Sequence, residues 1–209
     1  MSPAARAPFA TALLLSLGLA GSVAADDVAD ATAVVARLQA ALVETAGLDP
    51  DPGLAARETR LAPVIRETHD LGTMGRLTVR RAWREWSEAQ KEAFGDAFAA
   101  LSIATYASRF GGVGPDSFEL VAGGASGEQR VEVNSRIRRA DGSAVSLDYL
   151  LENDGRGWRI INVLADGASE LSLMAAEYFD ILDDAGFDGL IAALEEKRAA
   201  LPERAAQDR

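Results

Sequence analysis

Side chains that usually carry chemistry are scarce in this sequence. It has no cysteine and a single histidine, His69, which excludes thiol nucleophiles, disulfides, thiolate metal sites and multi-histidine metal centres. His69 titrates in the range of a general base, but a lone imidazole reads first as a surface or partly buried polar residue. Gly124-Ala125-Ser126-Gly127 approaches a nucleophile elbow with the wrong spacing, between two strands. Gly111-Gly112-Val113-Gly114-Pro115 lacks the preceding strand and following helix that a phosphate-cradling loop requires. Asp148 beside Tyr149 would suit a carboxylate working inside an apolar cavity. The alternation along its strand instead puts Asp148 on the solvent face, where an arginine of a neighbouring strand is the expected partner. Asp180, Asp183 and Asp184 have no glycine-spaced ligand loop and read as solvated helix surface. No metal, cofactor or catalytic residue is expected.

The remaining signals are apolar, and composition bounds what they can build. The chain has 209 residues, 48% hydrophobic and 25% charged, with 21 Lys+Arg against 32 Asp+Glu and a formal charge of -11. That is the make-up of one folded unit, and its negative field repels nucleic acid. Residues 1–25 read as a cleaved signal peptide: Arg6, an apolar run from Phe9 to Ala20, and Ser22-Val23-Ala24-Ala25 before Asp26-Asp27. The run is shorter than the roughly 20 residues of a spanning helix. The expected product is a single soluble domain, residues 26–209, in the periplasm, where the lack of cysteine makes it indifferent to the oxidising compartment.

Four helical regions and a meander organise the rest. Val28, Ala31, Val35, Leu38 and Leu42 follow helical spacing and stop at Gly47. A second stretch with Leu54, Leu61, Val64 and Ile65 is expected to kink or restart at Pro63, and a further break is expected at Gly72 and Gly75. Ser87 and Gln90 form a capping box opening the longest expected helix, Glu88 to Phe110. From Phe118 the period becomes two, with strands expected over 129–139, 144–153 and 157–164 around turns at Asp141-Gly142 and Asp154-Gly155. Met174 to Leu201 is helical again, with a break at Gly186. The fold class is α+β, with helices packed on one face of a curled antiparallel sheet.

The run Trp83 to Phe110, above all Thr105-Tyr106-Ala107-Ser108-Arg109-Phe110, resembles the MlaC family of periplasmic phospholipid-transport proteins, also called the toluene-tolerance auxiliary family of ABC transport systems. Asp148-Tyr149-Leu150-Leu151, Gly157-Trp158-Arg159-Ile160-Ile161-Asn162-Val163, Asp166-Gly167-Ala168-Ser169 and Gly186 to Leu194 with Lys197 follow in the same order. The resemblance spans about residues 63–197. Three departures stand out: Val79-Arg80 where Leu-Gly is expected, Asn162 where Asp is expected, and Ala175 where Arg is expected.

The resemblance implies a nuclear-transport-factor-like sheet backed by helices, with an apolar lipid cavity between them. It implies a carrier of diacyl phospholipid between an inner-membrane ABC lipid-transport complex and an outer-membrane lipoprotein–porin complex, serving outer-membrane lipid asymmetry without enzymatic chemistry. The large apolar side chains expected to face the lipid are Met74, Leu77, Phe98, Leu101, Tyr106, Phe110, Val133, Leu147, Tyr149, Leu151, Val163 and Leu182. An enzyme on a cone-like fold, an acidic adaptor, and a carrier of hopanoid or another lipid stand as alternatives.

Overall fold

Sequential hairpins generate the sheet. In the computed structural model, which describes residues 25–48, 51–111, 117–127, 129–138 and 142–201, β1 (Phe118–Ala125), β2 (Arg130–Arg138), β3 (Ala144–Asn153), β4 (Trp158–Ala165) and β5 (Ala168–Ser169) pair in the order β1-β2-β3-β4-β5, all antiparallel. Gly155 and Gly157, at φ 90 and 107, turn the β3–β4 hairpin where a side chain would be strained. Asp141 lies outside the described residues, as does the expected signal peptide apart from Ala25.

One face of the sheet is apolar. Val131 and Val133 of β2, Leu147, Tyr149 and Leu151 of β3, and Trp158, Ile160 and Val163 of β4 share one buried cluster. The register stacks Val133 beside Tyr149 beside Val163, and Val131 beside Leu151 beside Ile160. A register shift between Leu150 and Leu151 keeps Ile160 and Val163 on the same face, because the bulge absorbs one residue of β4. On the opposite face Asp148 accepts a hydrogen bond from Asn134 Nδ2 at 3.1 Å, so an amide replaces the expected arginine. At the edge, a shift between Leu120 and Ala122 leaves Leu120 and its neighbour Val121 exposed, against the alternation expected for β1.

Helices α1 (Ala25–Ala46), α2 (Leu54–Thr68), α3 (Leu71–Glu85), α4 (Glu88–Arg109) and α5 (Glu170–Ala199) complete the molecule. The stripe Ala31, Val35, Leu38 and Leu42 of α1 joins the sheet's apolar cluster. Gly123 permits that approach, since a Cβ there would lie 3.0 Å from Val28 Cγ1. Leu61 and Ile65 of α2 and Ile103 and Ala107 of α4 close the same cluster. A second cluster lies among the helices: Met74 and Val79 of α3, Phe94, Phe98 and Leu101 of α4, and Leu171, Tyr178, Leu190 and Leu194 of α5.

The expected stop at Gly47 and break at Gly186 are present, but those expected at Pro63 and at Gly72 and Gly75 are not. α2 runs through Pro63, which is exposed, so water can take up the carbonyl that proline leaves without a donor. α3 likewise runs through Gly72 and Gly75. Its start is set by Asp70, whose carboxylate accepts from Thr73 N at 2.9 Å, a side-chain cap that satisfies a free amide of the first turn. Gly75 is there for packing: a Cβ would sit 3.2 Å from Phe94 and 3.3 Å from Phe98. The interruption in α3 falls at Arg80, with φ 34 and ψ -92, the position where the resemblance leads one to expect glycine. The capping box at Ser87 and Gln90 is present. α4 has 22 residues, as does α1, and α5 has 30 across its break at Gly186, so α4 is not the longest.

Candidate functional site

The inner wall of the sheet and the C-terminal half of α4 face each other, and the polar groups trapped between them define the site. Tyr106 and Phe110, one helical turn apart, stack with ring centroids 5.7 Å apart and pack against the sheet cluster. His69 ends α2 in extended backbone and bridges to Ile160 of β4, while Asp70 N donates to Ile160 O at 2.9 Å. The α2–α3 junction is thereby fastened to the sheet, and the imidazole is carried inside.

His69 is buried at 1% exposure, not on or near the surface as expected. Thr68 Oγ1 donates to Val64 O at 2.7 Å, which leaves its oxygen free to accept from His69 Nδ1 at 3.0 Å; Ile65 O lies 3.2 Å from the same nitrogen. Nδ1 therefore carries the proton, and Nε2 accepts from the Tyr106 hydroxyl at 2.9 Å. Burial lowers the imidazole pKa to about 4, with the Ile65 carbonyl opposing weakly. Burial also raises the Tyr106 pKa well above its ordinary value. A neutral imidazole locked to a phenol has no acceptor left with which to take a proton from a substrate, so the pair fixes structure and does not act as a base.

A second polar group crosses the apolar cluster. Gln39 of α1 donates through Nε2 to Ser135 Oγ of β2 at 3.1 Å, and Ser135 donates to Leu147 O at 3.0 Å. Both contact Tyr149, whose pKa is pushed to about 12 by burial while these hydrogen bonds oppose the shift. Arg57 of α2, 2% exposed, donates through Nε to Ala107 O at 2.9 Å and pairs with Asp51. It places a cation at the negative end of α4. Trp158 adds a buried indole Nε1 with no hydrogen-bond partner among the described residues, in the same cluster as the inner wall.

The expected lipid-facing residues fall into two groups. Val133, Leu147, Tyr149, Leu151 and Val163 belong to the sheet cluster, with Tyr106 and Phe110 packed on it. Met74, Phe98 and Leu101 belong to the inter-helix cluster, with Leu182 at its margin. Leu77 joins neither group and is 39% exposed. Gln39, Ser135 and Arg57 were missed by the sequence reading. Ser135 had a signal, since it continues the alternation of Val131 and Val133; Gln39 lies beside Leu38 on the buried stripe. Arg57 had none.

Among the described residues no group of three His, Asp or Glu could hold a metal ion, and no helix is long and apolar enough to cross a membrane. The profile of the MlaC protein family matches residues 34–196. The chain belongs to the MlaC family. Membership extends upstream of Pro63 and takes in most of α1, whose stripe closes the inner wall. A solved structure of the same fold is that of the phospholipid-binding protein from Ralstonia solanacearum, in complex with a phospholipid. It is 24% identical, has a TM-score of 0.73, and the similarity covers 82% of this chain and 98% of that one. Comparison with curated proteins finds none that matches. This MlaC-family chain thus has its inner wall built from β2, β3 and β4 and roofed by α1, α2 and α4.

Proposed function

We propose that this protein is a periplasmic carrier of diacyl phospholipid, which takes lipid from one membrane complex and delivers it to another without covalent chemistry. The observation that carries the reading is family membership over residues 34–196; the fold shared with a protein crystallised around a phospholipid supports it. The acyl chains enter between the inner wall and α4, against Val133, Leu147, Tyr149, Leu151, Val163, Tyr106 and Phe110. The inter-helix group, Met74, Phe98, Leu101 and Leu182, is the deeper continuation of that space, reached along α4. Export by a signal peptide over residues 1–25 places the carrier between the inner-membrane ABC lipid-transport complex and the outer-membrane lipoprotein–porin complex.

A carrier is needed because lipid monomers are insoluble. About 30 methylenes at roughly 0.8 kcal/mol each put the cost of exposing one phospholipid to water near ~24 kcal/mol. A closed apolar site offsets most of that and leaves binding close to balance with the bilayer, so that release stays possible. An enzyme reading would need a free base or nucleophile in the site, and the one imidazole there is engaged on both nitrogens. Organic extraction of protein purified without detergent, followed by mass spectrometry, tests the proposal. Diacyl lipid near one per chain is the expected result; an extract empty of lipid overturns it, and a polycyclic lipid moves the cargo to the hopanoid class.

A further inference from the structure

The charge of the molecule is unevenly placed. The chain as a whole carries -11, yet from Leu71 to Arg84 helix α3 contains no acidic residue and four arginines, Arg76, Arg80, Arg81 and Arg84. All four are exposed. Arg81 is paired with Glu85 at 3.3 Å. Arg76, Arg80 and Arg84 have no salt-bridge partner among the described residues, although acid-bearing α4 and α5 pack against α3. The other described cations without such a partner, Arg60, Arg66 and Arg136, are spread over α2 and β2. Leu77, 39% exposed, lies within the same run of arginines. At its centre Arg80 holds φ 34, a conformation that penalises a residue with a Cβ; strain retained at an exposed position is a mark of a functional surface.

We propose that the exposed face of α3 is the docking surface of this carrier for an acidic protein partner, with Arg76, Arg80 and Arg84 meeting carboxylates around Leu77. The inference rests on the carrier reading for its purpose and on the charge map for its location. Arginine suits the task because its planar fork pairs carboxylates in bidentate geometry and is weakly hydrated. Interfaces of this kind place an apolar contact inside a charged rim. A protein patch is favoured over an anionic bilayer because a bilayer is negative across the whole footprint. Its field would also meet the acidic remainder of the molecule within a Debye length of about 8 Å. A bounded acidic patch can attract the basic face without repelling the rest, and so fixes which side of the carrier approaches.

The test uses the full protein, membranes prepared from the source cells, and protein-free liposomes of lipids extracted from those membranes. Co-sedimentation should show binding to the membranes that weakens about tenfold or more in the triple variant Arg76→Glu, Arg80→Glu, Arg84→Glu. The control triple Arg60→Glu, Arg66→Glu, Arg136→Glu carries the same change in net charge and should bind as the wild type does. Salt should weaken the wild type and leave little further to lose in the α3 variant. Arg80→Gly, which removes one charge and the Cβ clash together, should weaken docking without lowering the melting temperature. Equal losses in the two triples would reduce the effect to net charge, and equal binding to protein-free liposomes would make the bilayer the occupant; either overturns the proposal. Lipid extracted from each variant is measured in parallel: lipid present with no dependence on α3 defeats the docking proposal alone, whereas absence of lipid in the wild type defeats the carrier reading and leaves the docking result to stand by itself.

Discussion

His69 shows what a residue can do by staying uncharged. Its pKa is 6.5 when free and about 4 in the fold, through burial, so below pH 6.5 the unfolded chain takes up a proton that the native chain refuses. Native stability contributed by this group is therefore present above pH 6.5 and lost as pH falls toward 4, by about 3 kcal/mol in all. Denaturant melts between pH 7 and 4 should show the decline, and His69→Gln, which does not titrate, should flatten it. Asp154 acts in a separate, lower window: its carboxyl is held at about 2 by hydrogen bonding to Arg156, so whatever it contributes is lost only below its ordinary 3.8. Trp158 is a second residue whose surroundings make it a reporter. A buried donor without an acceptor is costly, and a ligand ester oxygen would relieve it. The indole N–H resonance assigned by Trp158→Phe should therefore shift downfield when stripped protein is loaded with phosphatidylglycerol; an unmoved resonance places the indole outside the lipid's reach. Little of this was legible in sequence beyond the placement of Gln39 and Ser135 beside buried apolar stripes. A histidine, a glutamine and an arginine are written identically whether solvated or buried, and what buries His69 is an extended link between helices held by a backbone bond to Ile160.

At the scale of elements, legibility followed periodicity. The strands and the face of α4 were legible because alternation and i, i+4 spacing report which side is covered. The breaks in the helices were legible at Gly47 and Gly186 but not around Pro63, Gly72 and Gly75, because glycine and proline mark either a stop or a tight contact. Gly75 belongs to the second kind. Gly75→Val would push side-chain atoms into Phe94 and Phe98, already 3.2 and 3.3 Å from a Cβ at that position. It should cost about 1–3 kcal/mol, a fall of roughly 3–10 °C in melting temperature, while leaving the sheet cluster intact. If the inter-helix cluster is part of the lipid space, the same variant should also lower lipid occupancy. Arg80 is the opposite case: glycine in a helix ordinarily costs about 1 kcal/mol, and here Arg80→Gly should be neutral or stabilising.

The whole molecule presents two apolar bodies joined along α4, with Leu71 of α3 packed on both. α4 contributes Phe94, Phe98 and Leu101 to the first and Ile103 and Ala107 to the second, so anything inserted along it touches both. A protein that must admit acyl chains is underpacked when empty and behaves like one carrying large-to-small core substitutions. Stripped protein should melt below loaded protein. A ligand at a hundredfold excess over Kd contributes about 2.7 kcal/mol, or on the order of 5–10 °C for a domain of this size. Thermal unfolding with and without phospholipid, below the concentration at which vesicles form, measures the difference; coincident curves would mean that the apolar bodies are solid.

The order of elements along the chain also sets a sequence of events in time. α1 and α2 come first, but the surface that covers Val35, Leu38, Leu61 and Ile65 is supplied by β2, β3 and β4, none of which begins before Arg130. A chain emerging from its N-terminus can lay α1, α2 and α4 against one another, but their apolar faces stay only partly covered until the meander has followed. The meander itself closes quickly once present, since each strand pairs with its sequence neighbour. The polypeptide therefore has only a partial core through the greater part of its synthesis, with the sheet cluster completed by the meander and the inter-helix cluster by α5. The commitment to shape thus belongs to the C-terminal part of the chain, the meander and then α5, rather than to the first helix.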